Sequence, residues 1–369
     1  MALPRNIKTL TGIRGFAALW VVFFHLQAAS YFHVTPLFKD FIQHGFWGVD
    51  VFFVLSGFVL AHVYESGFVQ KVSLNNYLRY LGLRLGRIYP LHAVTTAAAF
   101  AAYLFSIRLG RGTAAGSHFG LYEGAMSMAL LHAWGTTRYL SWNDVSWSIS
   151  AEWFAYLFML VPCIRLLRNI SLRQLYFLAA VPWCLLIFVY MPQRTSHLLD
   201  MTYDFGILRI APEFLGGYVA YRTASAIRQS PIASDVESIA GLAAIVFVAY
   251  RDSFQILLLP ACMLFLIGLS VEGPVVSWIF GNRVSVLAGE LSYSIYMCHA
   301  LVLFVFDGLL KRLHPAQAAM FTGAGTVLIS ILTVFLSSYG LYMLIERPCR
   351  NWARKELDRL LFPSMADAH

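Results

Sequence analysis

The chain is written in long apolar runs, each near the length of a bilayer crossing, parted by short polar stretches. A hydrocarbon core about 30 Å thick takes roughly 20 apolar residues as a helix. Repeated runs of that length predict an all-α fold, a polytopic membrane helix bundle. The runs place ten spans at 12–32, 46–64, 88–107, 146–167, 173–191, 207–222, 236–250, 253–270, 285–306 and 317–345. Two are short and interrupted by polar residues, around Arg209–Glu213 and Asp235–Glu237. Composition agrees, since 12% of the residues are charged and 59% hydrophobic, where a soluble domain carries about 25% charged residues.

Met1–Lys8 is short and basic and leads into a full-length apolar segment without a small-residue cleavage site, so the first span reads as retained. With the N-terminus in the cytoplasm, about 18 of the 27 Lys and Arg fall inside, as the positive-inside rule favours. Both termini are then cytoplasmic. The net charge of +8 reflects topology and gives no sign of nucleic acid. The whole chain, 1–369, reads as one transmembrane domain. Its longest extramembrane stretch is 107–145, on the outer face. Within it Leu121–Trp134 is apolar but short for a crossing, suiting a re-entrant or interfacial helix. The tail 346–369 is amphipathic and reads as a cytoplasmic surface helix. Cys163, Cys184, Cys262, Cys298 and Cys349 have no paired spacing, which predicts neither a disulfide framework nor a zinc site.

Polar residues inside spans cost roughly 2.5–3.5 kcal/mol each on the insertion scale and are functional candidates. The first span carries Arg14 and His25 in G-I-R-G-F-A-A-L-W-V-V-F-F-H. Eleven residues make three turns plus about 20°, so both side chains share a face, about 16 Å apart along the axis. Arg14 sits at the cytoplasmic mouth. His25 near mid-depth reads either as a proton acceptor or as a histidine bonded to a neighbouring helix. The second span opens G-V-D-V-F-F-V-L-S-G-F, where Ser56 and Gly57 suit close helix packing and Asp50 is either hydrated at the outer end or functional.

R-L-G-R-I-Y-P-L-H opens the third span. Arg84 and Arg87 share a face with Tyr89 just inside, reading as an anchor to lipid headgroups or as a clamp on an anionic cytosolic cofactor. In S-W-S-I-S-A-E-W, Ser148 and Glu152 lie four apart on one face, and Glu152 reads mainly as structural or supporting. Ser292, Tyr296 and His299 in L-S-Y-S-I-Y-M-C-H form one polar stripe, lining either a cavity or a helix contact. The last span ends I-E-R-P, a boundary signal in which Pro348 is expected to stop the helix.

Taken in order from Gly12 to Pro348, these segments resemble the acyltransferase 3 family of integral-membrane acyltransferases. E-R-P stands where an acidic–Lys–Pro ending is more usual, a minor departure. The resemblance implies an enzyme of the stand-alone kind that takes an acyl group, usually acetyl, from cytosolic acyl-CoA. The acceptor would be a hydroxyl of a glycan, a lipid-linked glycan or another glycosylated molecule. It implies acetyl-CoA as co-substrate, no metal, membrane lipids as surroundings and a bacterial inner membrane. On the residues quoted, His25 becomes the general base or a transient acyl carrier; Arg14 is grouped with it as catalytic and, at the cytoplasmic mouth, joins Arg84 and Arg87 in holding the coenzyme A phosphates. Arg84, Arg87 and Tyr89 become the donor-binding set. Asp50, Ser148, Glu152, Tyr296 and His299 become supporting or acceptor-side residues. The main rival is a transporter or flippase with a polar path through the bundle. The others are a non-enzymatic membrane partner and a different histidine-using membrane acyltransferase family.

Overall fold

The computed structural model describes residues 3–4, 6–28, 35–108, 119–190, 201–227, 229–310 and 323–362. The ends of the expected spans 12–32, 173–191 and 317–345 lie partly outside the described residues. So do Arg5, Arg228, 109–118 of the outer stretch and the tail beyond Phe362.

Among the described residues the chain is helical, with no strand. The first six helices are α1 (Lys8–Ala28), α2 (Pro36–Gln43), α3 (Gly48–Gln70), α4 (Leu74–Arg108), α5 (Leu121–Met128) and α6 (Trp147–Phe158). Next come α7 (Leu160–Leu167), α8 (Leu172–Leu185), α9 (Gly206–Ala226), α10 (Pro231–Tyr250), α11 (Leu258–Leu269) and α12 (Pro274–Phe280). The last are α13 (Arg283–Leu310), α14 (Ala324–Leu341) and α15 (Arg347–Leu361). Eight helical stretches among the described residues are long and apolar enough to cross a membrane. A ninth is counted if Ser253–Leu269 and Pro274–Phe280, bent by 102°, form one broken span. The remaining expected span corresponds to α9, which is 21 residues long. Its length suffices, but Arg209 and Glu213 are buried in the bundle interior rather than replaced by apolar residues. The chain is therefore an integral membrane helix bundle.

Two seams organise the interior. The first joins α1 to α13. A Cβ on Gly15 would stand 2.7 Å from that of Ala288, and one on Gly289 would stand 1.9 Å from the Thr11 carbonyl oxygen. Only glycine permits backbones this close. The N-terminus of α1 is capped from outside its own segment. Glu272 Oε1 accepts from the backbone N–H of Lys8 at 2.7 Å and of Thr9 at 3.4 Å, placing a carboxylate where the helix dipole favours one. The second seam joins α3 to α9, where a Cβ on Gly57 would stand 2.1 Å from Phe214 O and one on Gly217 1.9 Å from Val54 O.

Two boundaries differ from the sequence expectation. Helix α4 begins at Leu74 rather than near residue 88, so Arg84 and Arg87 lie well within a 35-residue helix. Pro348 does not end the last span. A π-helical turn, Tyr342–Glu346, follows α14, and α15 continues from it with Pro348 in its first turn. There a proline lacks only an N–H that would have no helical partner anyway. The tail helix also packs on protein. It runs antiparallel to the first half of α4, with Ala353 against Gly86 and Leu357 against Gly82. Arg79 Nε meets Asp358 Oδ1 at 2.6 Å.

Candidate active site

Helices α1, α3, α4, α6 and α13 enclose a cavity of about 210 Å³. Along α3 its wall runs from Val49 to Val63, about 21 Å at the helical rise. Arg14, Arg84, Arg87, Ser148, Glu152, Ser292 and Tyr296 all line it. With Ser56 also on the wall, the structure brings together residues from five of the sequence motifs. The stripe on α13 serves two purposes, because Ser292 and Tyr296 face the cavity while His299 lies deeper.

Three guanidinium groups meet here. Arg84 donates to the Tyr64 hydroxyl at 3.2 Å and lies 5.5 Å from that ring's centroid, yet its buried Nε has no partner. Among the described residues, Arg14 and Arg87 make neither a hydrogen bond nor an ion pair with the protein. Arg14 is repelled by Arg87 and attracted by Glu346 and Glu152. Glu152 accepts a hydrogen bond from Ser56. Ser56 is therefore part of the cavity wall rather than a packing residue, while its neighbour Gly57 does the packing.

Deeper in the bundle the cavity closes on Tyr296 and Phe52, whose ring centroids are 6.2 Å apart. The Tyr296 hydroxyl donates to Val145 O at 2.8 Å and accepts from Ser148 Oγ at 2.9 Å. Tyr296 also sits 5.7 Å, centroid to centroid, from His299. His299 in turn lies 4.8 Å from His25 in the same measure. His25 is thus absent from the cavity wall and stands one aromatic layer beyond it, half-buried. His25 Nδ1 is 2.9 Å from Val21 O and 3.3 Å from His299 Nε2. His299 Nδ1 is 2.6 Å from Tyr296 O.

Two expected site residues lie elsewhere. Asp50 is 1% exposed and turned away from the cavity. It takes a bidentate pair from Arg209, Nε to Oδ1 at 2.9 Å and Nη2 to Oδ2 at 2.5 Å. The Arg209 guanidinium also covers the Trp147 ring at 5.3 Å, and Glu213 is buried beside the pair. A charge held this deep needs a partner, and Asp50 serves the α3–α9 seam. Tyr89 packs into the apolar core, 6.3 Å from the His92 ring. It is two residues beyond Arg87, a rotation of about 200°, so the helix turns it away from the arginine face.

Sequence reasoning passed over Glu346, treated as a boundary residue. It is 1% exposed, accepts from Ser294 Oγ at 2.7 Å, and leaves Oε1 without a partner. It closes the π-helical turn, a distortion that often marks functional positions. Its position one residue before the charged end of the span gave no hint of burial. Among the described residues no three His, Cys, Asp or Glu side chains group as metal ligands.

A family model described as an acyltransferase domain matches residues 7–343. The acyltransferase MdmB of Streptomyces mycarofaciens is 34% identical over 192 residues, 48% of this chain and 44% of that protein. A putative acetyltransferase, ORF330, of Acidianus two-tailed virus is 26% identical over 317 residues, 79% of this chain and 81% of that protein. The O-acetyltransferase OatA of Staphylococcus aureus is 33% identical over 92 residues, 24% of this chain and 13% of that protein. The chain therefore spans less than half of MdmB and a small part of OatA. No solved structure matches. With the family model covering nearly all of a helical membrane bundle, the chain belongs to the acyltransferase 3 family of integral-membrane acyltransferases.

Proposed function

We propose that this acyltransferase moves an acyl group, acetyl in the first instance, from cytosolic acyl-CoA to a hydroxyl of a cell-surface glycan or another glycosylated acceptor. The observation that carries this reading is the cavity lined by three arginines, two of which make no hydrogen bond or ion pair with any described residue. Half-buried guanidinium groups facing an enclosed cavity, with Arg84 Nε buried and unpartnered, are suited to a ligand that supplies acceptors, and phosphate oxygens match that geometry bidentately. Arg14, Arg84 and Arg87 hold the phosphates of coenzyme A at the cytoplasmic mouth. The pantetheine arm follows the cavity along α3 toward Tyr296 and Phe52. Both termini lie in the cytoplasm, and the enzyme resides in a bacterial inner membrane.

His25 serves the transfer as a general base or as a transient acyl carrier. As base, its free ring nitrogen takes the hydroxyl proton while the oxygen attacks the thioester carbonyl. The C–S bond breaks, and the proton passes to the departing thiolate. As carrier, that nitrogen attacks the thioester carbonyl and the C–S bond breaks to release the thiolate; the acceptor oxygen then attacks the acyl-imidazole, the C–N bond breaks, and the hydroxyl proton passes to the thiolate. A movement of Tyr296 or Phe52 admits the thioester to His25 in either case. The family membership and the relatives' names, acyltransferase and O-acetyltransferase, support a transferase over a transporter.

The test is coenzyme A release from acetyl-CoA by purified protein with candidate glycan acceptors. Wild type is compared with His25→Ala and with Arg84→Ala/Arg87→Ala. Acceptor-dependent release that disappears in His25→Ala, with weaker acetyl-CoA binding in the double variant, is expected. Absence of specific acetyl-CoA binding by wild type would overturn the donor assignment and favour a polar transport path.

A further inference from the structure

The two imidazoles behind the Tyr296–Phe52 layer share an arrangement of protons that their contacts dictate. A backbone carbonyl only accepts hydrogen bonds. Tyr296 O at 2.6 Å therefore requires the His299 proton on Nδ1, and a neutral His299 presents a lone pair at Nε2. Val21 O at 2.9 Å likewise requires the His25 proton on Nδ1. That proton also points toward His299 Nε2 at 3.3 Å, the acceptor just assigned. All three contacts are satisfied by one arrangement of protons. It leaves the lone pair of His25 on Nε2, the ring nitrogen that makes no hydrogen bond to any described residue.

We propose that His299 is the positioning residue of His25, holding it in the Nδ1–H tautomer so that Nε2 is the nitrogen that reacts. This rests on the role proposed for His25. The chemistry parallels the third member of a hydrolase triad, which orients an imidazole through the ring nitrogen that does not react and stabilises the imidazolium. Here the orienting group is a neutral imidazole rather than a carboxylate. When Nε2 takes the hydroxyl proton, His25 becomes cationic, and its Nδ1–H bond to His299 becomes charge-assisted and stronger. The proton then leaves from Nε2 to the coenzyme A thiolate, so His299 gains and loses none. His299 is fully buried and its own Nδ1–H is tied to Tyr296 O. It therefore offers one fixed acceptor, and only while it stays neutral. The same residue, Tyr296, holds His299 through its backbone and closes the cavity with its ring, linking the donor pocket to the histidine pair.

The experiment is 15N NMR of histidine-labelled full-length protein in lipid nanodiscs, with the His25 signals assigned by their loss in His25→Ala. At neutral pH wild-type His25 is expected to show a protonated Nδ1 and an unprotonated Nε2. His299→Leu removes the acceptor and should populate both tautomers of His25. Its kcat should fall by about tenfold or more, part of the 10²–10⁴-fold typical of acid–base catalysis, with KM for acetyl-CoA unchanged. His299→Gln keeps an acceptor oxygen and should restore both the tautomer and most of kcat. A wild-type His25 protonated on Nε2 overturns the proposal without any turnover measurement. So does a His299→Leu protein whose His25 nitrogens are unchanged, whatever its kcat, because Val21 O alone would then hold the ring. Failure of His299→Gln to restore the tautomer overturns it as well, and does so even if the leucine variant does not fold. Full activity in His25→Ala would instead count against the proposed function, leaving the tautomer assignment as a separate result.

Discussion

Arg209 and Arg87 are the same residue type in one bundle, and the protein treats them in opposite ways. Arg209 is 1% exposed, with two of its nitrogens on Asp50 and its face over Trp147. Arg87 lines a cavity and makes no hydrogen bond or ion pair with the described protein. The first guanidinium is committed to joining α3 and α9. The second remains available to something that enters. The contrast teaches that an intramembrane arginine marks function only when its donors are free.

The sharpest way to break this comparison is Asp50→Ala. It takes the bidentate carboxylate from a buried cation and leaves Glu213 as the nearby acid, a loss of up to about 3–5 kcal/mol. A large fall in Tm and in the folded fraction on size-exclusion chromatography is expected. Asp50→Leu combined with Arg209→Leu should recover much of that loss, because the penalty lies in the unpaired charge. Arg87→Ala should do the reverse, with Tm near wild type and acetyl-CoA affinity reduced. Hydrogen bonds to charged groups contribute about 1.5–3 kcal/mol, so titration calorimetry should show binding weakened roughly tenfold to a hundredfold. A matching fall in stability would erase the distinction between the two arginines. The smallest effect belongs to Ser56→Ala, which removes one hydrogen bond to Glu152 at the cavity wall. It should raise KM for acetyl-CoA modestly and leave Tm within a degree or two. Gly57→Ala next to it should be the more destabilising change, since its Cβ meets the Phe214 carbonyl.

The bundle was legible because apolar runs have one solution in a bilayer. The ordered motifs also identified most of the cavity wall, from Arg14 to Tyr296. What escaped the sequence has physical reasons. The start of α4 was hidden because Asn75, Asn76 and Arg79 interrupt the apolar pattern. That segment is stabilised by α15, a partner more than 250 residues away. Asp50 could not be assigned without Arg209, which is 159 positions distant. Tyr89 shared a motif with Arg84 and Arg87 but not a helix face. Glu346 carried the signature of an exit from the membrane, and only the π-helical turn shows it directed inward. His25 and His299 were each visible as polar intrusions, but their contact depends on how α1 meets α13.

That seam between α1 and α13 also sets a timetable. The first described helix to leave the ribosome carries Arg14 and His25, and the backbone it fits against begins at Arg283. At about 5–20 residues per second, the intervening chain takes roughly 10–50 s to synthesise. For that interval α1 sits in the membrane with two polar side chains and without the helix that pairs with them. During biogenesis it must be sheltered by the insertion machinery or by α3. Slowing translation between α3 and α13 should lengthen the period in which this helix is vulnerable to quality control.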